Sequence, residues 1–284
     1  MIPALLKWIG NKQRFADEIV EAMPRSFDNY YEPFLGSGAV LAELSMNKKT
    51  TDSPHYFNSY ASDVLPFLID LFIKVRDDPE DISNYYRNEI EKYNENSDYY
   101  YTIRDRFNEN HNPYDFCVLS RTCYSGVIRF RKKDGFMSTP KGPHKPISPD
   151  TFDYRVNMWN DLIQDTEFDC MDFKQSMKRA GEGDVVYCDP PYTHSQTIIY
   201  GGQEFKIEEL WKSIDECRNR GALVILSLNG SRESGKKDIS CYIPKDLFEN
   251  EIKISCGKSM IDRLHKQGMV MNDSEVQDRL LLTW

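Results

Sequence analysis

Between residues 29 and 75 the chain repeats one short unit, a strand, a turn and a helix, and that repeat leaves few folds open. Residues 29–33 read as a strand that runs into a glycine turn, with a helix over 38–46 beyond it. Residues 57–62 read as a second strand ending at Asp63, followed by a helix over 67–75. A helix over 15–23, closed by Pro24, precedes them. Strands that alternate with helices in this way form a mainly parallel sheet with helices on both faces, so the spacing predicts a doubly wound α/β fold. The rhythm stops near residue 77 and resumes near 150. A compact apolar strand at 184–188, a helix at 207–218, a buried strand at 222–228 and closing strands at 252–255 and 279–283 follow. The intervening stretch is polar and tyrosine-rich, with helices expected at 82–93 and 99–107. It ends in a hairpin expected from strands at 126–131 and 136–138 around a turn at 132–135 that contains Asp-Gly. A Pro/Gly-rich loop follows at 140–149. The expected division is a core of residues 1–76 and 150–284 interrupted by an inserted module at 77–149.

The chain has 284 residues, 40% hydrophobic and 29% charged, as an ordinary globular protein does. Its apolar runs are far too short to cross a bilayer, and no basic region followed by a long apolar core marks residues 1–10 for secretion. The seven scattered cysteines form no C-x-x-C pair and the five histidines no metal-ligating spacing. A cytoplasmic protein with reduced thiols and no metal is therefore expected. The formal net charge of −9 by itself argues against nucleic acid, but its distribution is uneven. Residues 121–145 carry seven Lys/Arg (121, 129, 131, 132, 133, 141 and 145) against one acid, Asp134, whereas 77–115 carry eleven acids against four bases. A basic stretch in an acidic protein can bring a phosphate backbone to one face; a solvated lysine-rich loop is the plainer reading of the same residues.

The most specific chemical signal is Asp189-Pro190-Pro191-Tyr192, directly after the 184–188 strand. The exocyclic nitrogen of adenine is a poor nucleophile because its lone pair is delocalised into the ring. A carboxylate at Asp189 and the carbonyl of Pro190 can accept its two N–H hydrogens and favour a pyramidal nitrogen with a freer lone pair. Two prolines stiffen the loop so that both acceptors are in place beforehand, and Tyr192 offers a flat face for an extruded base. A strand-ending turn is the structural alternative; the end of a strand in an α/β sheet is, however, where such sheets bind ligands.

The second signal is the turn at 31–38, Tyr-Glu-Pro-Phe-Leu-Gly-Ser-Gly. Glycine there lets backbone approach a ligand. Leu41 replaces the third glycine of a dinucleotide fingerprint, and the acid Glu32 before Pro33 would repel a pyrophosphate but suit a sulfonium and an α-ammonium. Both details favour S-adenosylmethionine over a nicotinamide cofactor. Asp63 ends the next strand, 25 residues beyond Gly38, where a carboxylate commonly binds ribose hydroxyls or caps the following helix.

Lys7-Trp8-Ile9-Gly10-Asn11-Lys12, the 31–38 turn, Asp63 and Asp189–Tyr192 come in an order and spacing that resembles the DNA adenine methyltransferase (Dam) family over most of the chain. The resemblance implies a Rossmann-like, S-adenosylmethionine-dependent methyltransferase core with an inserted, mostly helical and β-hairpin target-recognition module. It implies a cofactor pocket lined by Trp8, Lys12, Phe34, Gly36 and Gly38, Asp63 on the ribose, and Asp172-Phe173 at the cofactor adenine. Residues 121–130 resemble the family's target-recognition hairpin. There Tyr124 corresponds to a wedge beside the extruded base and Arg129 to a reader of a base edge, and Lys7 to a lysine that reaches DNA. Arg121, Ser125, Val127, Arg131, Lys132 and Lys133 complete the expected interface with double-stranded DNA. Ser120-Arg121, Tyr124-Ser125-Gly126, Val127 and Asp63-Val64-Leu65 depart from the family pattern, so GATC does not follow as the target. Residues 129–147 look more like methyltransferases paired with a restriction endonuclease, in a bacterial, phage or archaeal cell. An N-methyltransferase acting on RNA or on a protein amide, and a non-catalytic DNA-binding module, remain as the other readings.

Overall fold

The computed structural model describes residues 2–51, 53–131, 133–191, 205–229, 243–255 and 277–284. Seven strands form one sheet: β1 (Asn29–Glu32), β2 (Asn58–Asp63), β3 (Thr166–Cys170), β4 (Val185–Cys188), β5 (Leu223–Asn229), β6 (Asn250–Ser255) and β7 (Gln277–Leu282). Their order is β3-β2-β1-β4-β5-β7-β6. The strands from β3 to β5 run parallel, and β7 runs antiparallel to both β5 and β6. The order reverses between β1 and β4, where Tyr30 pairs with Val185 and Tyr31 with Val186. The crevice beyond the carboxyl ends of these two strands is the place where such sheets bind ligands.

Period-two alternation assigns side chains to the two faces. Tyr30, Val185, Tyr187 and Ile225 join one buried cluster, and Tyr31, Val186, Cys188 and Val224 the other. The first face is covered by α1 (Ala16–Glu21), α2 (Ala39–Thr51), α3 (Pro66–Asp77) and α7 (Pro149–Leu162), through residues such as Ile19, Leu44, Phe72 and Trp159. The second is covered by α8 (Phe173–Arg179) and α9 (Ile207–Asn219), through Met177, Leu210 and Ile214. Strand β4 is apolar throughout because both of its faces are covered.

Helices α4 (Pro79–Glu95), α5 (Tyr99–Asn110) and α6 (Pro113–Thr122) occupy the stretch expected as an insertion. Their buried residues belong to the same cluster as the first face of the sheet. Phe67 of α3 meets Phe107 at 5.2 Å, Phe116 at 4.7 Å and Phe130 at 5.7 Å between ring centres, and Tyr86 stacks on Phe152 at 3.9 Å. Helices α6 and α7 were not expected, although each opens on a side-chain cap followed by proline. The Asn112 side chain accepts the Tyr114 N–H, and that of Ser148 accepts the Thr151 N–H.

The expected hairpin is shorter than the sequence suggests. Residues 124–126 form a 3-10 turn instead of the start of a strand, and the pairing reduces to one bridge, Phe130 to Met137, flanked by Arg131 N–H to Phe136 O and Ser138 N–H to Arg129 O. Further toward the base the Thr139 hydroxyl replaces the ladder: it donates to Val127 O at 2.7 Å and accepts from Arg129 N–H at 3.0 Å. Asn108 of α5 exchanges two hydrogen bonds with the Met137 backbone, and the Tyr100 hydroxyl donates to Thr139 O.

Candidate active site

Strand β1 ends in a buried Glu32 and Pro33 and hands the chain to a turn that bends back at Gly36 (φ +48°) and Gly38 (φ +66°). The Gly36 N–H donates to Asp63 Oδ2 at 3.1 Å, and the Leu65 N–H to Oδ1 at 3.2 Å. The turn and the end of β2 are thereby locked together by one carboxylate. Asp63 is not itself the cap of α3, a position held by Leu65. Burial pushes its pKa up to about 6 against these backbone donors. A Cβ on Gly36 would lie 2.9 Å from Trp8 Nε1, so the indole lies directly over the turn. Gly38 is needed for a different reason: a Cβ there would press on Phe72 and Trp159 at 3.2 and 3.3 Å, which places its close approach in the core.

Phe34, half-buried beyond Pro33, stacks on Phe173 at 5.1 Å, and Phe205 meets Phe34 edge-on at 6.0 Å. Asp172 starts α8, its carboxylate accepting the Lys174 N–H at 2.9 Å. The result is an apolar aromatic corner beside a helix cap, joined to the end of β2 where the Met171 N–H donates to the Asp63 carbonyl; Phe205 was not foreseen.

Asp189 follows β4 at the reversal of strand order, with its side chain one-fifth exposed. The buried Lys12 ammonium reaches its Oδ1 at 3.1 Å and Asp278 Oδ2 at 3.6 Å. Pro190 is buried and Pro191 half-buried; Tyr192 lies outside the described residues. Glu32, 2% exposed, accepts the Tyr30 hydroxyl at 2.8 Å. Desolvation, with the charge of Asp189 adding to it, pushes the Glu32 pKa up to about 8. The negative charge expected opposite a sulfonium is therefore largely titrated away at neutral pH unless a cation sits beside it. The Cys188 thiol is fully buried and pushed well up by desolvation, which removes it as a nucleophile.

The residues expected at a DNA interface divide into two groups. Tyr124 is 48% exposed, and Arg129, Arg131 and Lys133 are exposed. Ser125, at φ +56°, and Val127 are half-buried in the turn between them. Arg131 is held within the hairpin by Asp134 at 2.9 Å and the Phe136 ring at 4.3 Å. Lys132 lies outside the described residues. Lys7 is exposed and packs on Gly126, whose Cβ would lie 2.6 Å from Lys7 Cβ; burial of its base and nearby Arg121 lower its pKa. Arg121 does not belong to the interface. It is 3% exposed, and its guanidinium donates to the carbonyls of Leu5 and Ala4, the first at 2.9 Å from Nε. A guanidinium buried against residues 4 and 5 and bonded to their carbonyls is withdrawn from a phosphate at the surface, and its pKa is pushed down to about 10 by desolvation.

Asp278, within reach of Lys12, was not foreseen either. It stands on the last strand, in a sequence context with no glycine, proline or motif to mark it, and only the sheet register brings it to Lys12. Among the described residues no group of three or more His, Cys, Asp or Glu is placed to hold a metal, and no helix is long and apolar enough to cross a membrane.

A family model described as D12 class N6 adenine-specific DNA methyltransferase matches residues 8–241. A DNA adenine methylase of Serratia marcescens is 32% identical over 198 residues, 66% of each chain. The DNA adenine methylase of Haemophilus influenzae is 32% identical over 237 residues, 77% of each chain. The Type II methyltransferase M.MjaIII of Methanocaldococcus jannaschii is 28% identical over 256 residues, 80% of this chain and 84% of its own.

Proposed function

The chain belongs to the D12 class of N6 adenine-specific DNA methyltransferases, and from that premise we propose that it methylates a flipped adenine in duplex DNA with S-adenosylmethionine as donor. The observation that carries this reading is Asp189. Its carboxylate stands at the carboxyl end of β4, where the strand order reverses, and is steadied by a buried lysine.

The residues present fit the donor. Trp8 over Gly36, a turn that a Cβ would obstruct, offers an apolar wall for the methionine part; Asp63 offers acceptors to ribose hydroxyls, and Glu32 at the end of β1 a carboxyl to a cationic centre. Phe34, Phe173 and Asp172 form the corner suited to an adenine ring and its amino group. The donor supplies a methyl group on a positively charged sulfur, an electrophile that needs no metal.

The remaining chemistry falls to the chain. Asp189 and the Pro190 carbonyl accept the two hydrogens of the target amino group, with Pro191 stiffening the loop and Tyr192 stacking on the base. The exocyclic nitrogen uses its lone pair to form the N–C bond as the C–S pair leaves with sulfur, and one amino proton then departs through Asp189 to water. In-line alignment contributes most to the rate, and fixed acceptors next. No covalent enzyme intermediate is required.

Duplex DNA meets the hairpin face. Tyr124 fills the gap left by the base, Arg129 reads a base edge, and Lys7, Arg131, Lys132 and Lys133, with Ser125 and Val127 in the turn, contact the backbone and groove. Residues 77–149 thus act as the target-recognition module of a cytoplasmic enzyme, and a cognate restriction endonuclease is the expected partner. In a tritium-transfer assay comparing duplex DNA, RNA and protein, only DNA is expected to accept label, at adenine N6. Asp189→Ala is expected to keep donor binding by calorimetry and lose transfer. Near-normal transfer by that variant refutes the assignment.

A further inference from the structure

We propose that Asp278 is a positioning residue for methyl transfer: it anchors Lys12 against Asp189 and gives the lysine a second carboxylate to rest on when the target amine takes Asp189 over. This rests on the function proposed above. Asp278 lies beyond the 8–241 segment matched by the family model.

The geometry is specific. Lys12 and Asp278 are each 8% exposed. The ammonium lies 3.1 Å from Asp189 Oδ1 and 3.6 Å from Asp278 Oδ2, so one cation is shared between two carboxylates. A buried ammonium cannot be left without a partner. An ammonium held on Asp189 Oδ1 would compete with the amine hydrogens for that carboxylate at every turnover. With Asp278 within reach, the ammonium can yield that oxygen through a small displacement and remain paired.

Strand direction explains why Asp278 can reach the site. Because β7 runs antiparallel to β5, its beginning lies at the edge where the parallel strands end. There Asp278 pairs in register with Asn229, the last residue of β5. A parallel strand at this position would carry its second residue to the opposite edge of the sheet.

The test is a double-mutant cycle on the full chain: wild type, Asp278→Asn, Lys12→Met and the double variant, with Asp278→Glu as the conservative rescue. Single-turnover transfer to duplex DNA and the dissociation constants of donor and DNA are measured for each. Asp278→Asn is expected to slow transfer by roughly tenfold or more, within the ~10²-fold that a misplacement of about 1 Å can cost. Both dissociation constants should stay within about twofold, the precision to which independent changes add. Asp278→Glu should recover part of the rate, and in the Lys12→Met background Asp278→Asn should cost little more. If Lys12→Met is too slow to measure, the coupling is read from the unfolding temperatures of the same four proteins, where non-additivity is expected. The inference is overturned if Asp278→Asn transfers at the wild-type rate, or if its cost is the same with and without Lys12, or if the unfolding temperatures are additive where that readout is needed. A wild-type protein that methylates no DNA would overturn the functional reading as well, whereas an active wild type with an unaffected Asp278→Asn overturns this inference alone.

Discussion

Replacing Glu32 by glutamine should remove a pH dependence that the native fold otherwise carries. The carboxyl is buried at the end of β1, hydrogen-bonded by Tyr30, and its pKa is raised from 4.5 to about 8 by desolvation. The unfolded chain releases this proton near 4.5, while the folded chain holds it to about 8. Through that window the native state binds more protons than the unfolded one, so stability falls as pH rises, by about 1.4 kcal/mol per pH unit. Asp63, raised from 3.8 to about 6, acts with the same sign but only up to about 6. Between pH 6 and 8 the Glu32 contribution therefore stands apart, and amounts to about 2 kcal/mol, because the slope fades as the folded group itself begins to titrate. Glu32→Gln is neutral at every pH and keeps an oxygen to accept the Tyr30 hydroxyl. Urea unfolding of both proteins at pH 6, 7 and 8 isolates the effect, because the histidine titrations are common to both and cancel. Wild type should lose about 2 kcal/mol relative to Glu32→Gln over this range. Parallel stability curves would refute the argument that burial keeps this carboxyl neutral.

The same carboxyl should report on the donor: a sulfonium placed beside it lowers its pKa, so donor binding at pH 7 should release close to one proton. Calorimetry in two buffers of different ionisation enthalpy measures this, and a buffer-independent enthalpy in the wild type contradicts it. Gly36→Ala puts a Cβ against Trp8 at a left-handed φ. It should cost about 1–2 kcal/mol from backbone strain alone and weaken donor binding; unchanged thermal unfolding and affinity would count against the turn as the donor's seat. Arg121→Met withdraws buried donors from the Leu5 carbonyl, at a cost of about 1–3 kcal/mol. It should leave the salt dependence of DNA binding unchanged, whereas Arg129→Ala should relax base preference; a reduced salt slope in Arg121→Met would restore that residue to the interface.

Local chemistry made much of this protein legible. The strand-turn-helix rhythm of 29–75 follows from short-range propensity and period, and β1, β2, α2 and α3 lie where it placed them. Asp189 and the 31–38 turn were visible because their chemistry is carried by adjacent residues. Helices α6 and α7 and strand β3 were passed over for lack of a strong repeat, although Asn112-Pro113 and Ser148-Pro149 carried start signals. Arg121 shows the limit most plainly. Its charge invited a phosphate, yet two backbone carbonyls from residues 4 and 5 claim the guanidinium.

Sequence alone determined the alternating architecture, the carboxylate-and-proline loop and the glycine turn, because each is set by residues within a few positions of one another. Tertiary structure alone decided that Lys12 stands between Asp189 and Asp278, that Glu32 keeps its proton and that Arg121 is withdrawn from the surface. Those outcomes depend on which distant groups share a desolvated space, and neither strand register nor burial is encoded at the position whose charge they govern.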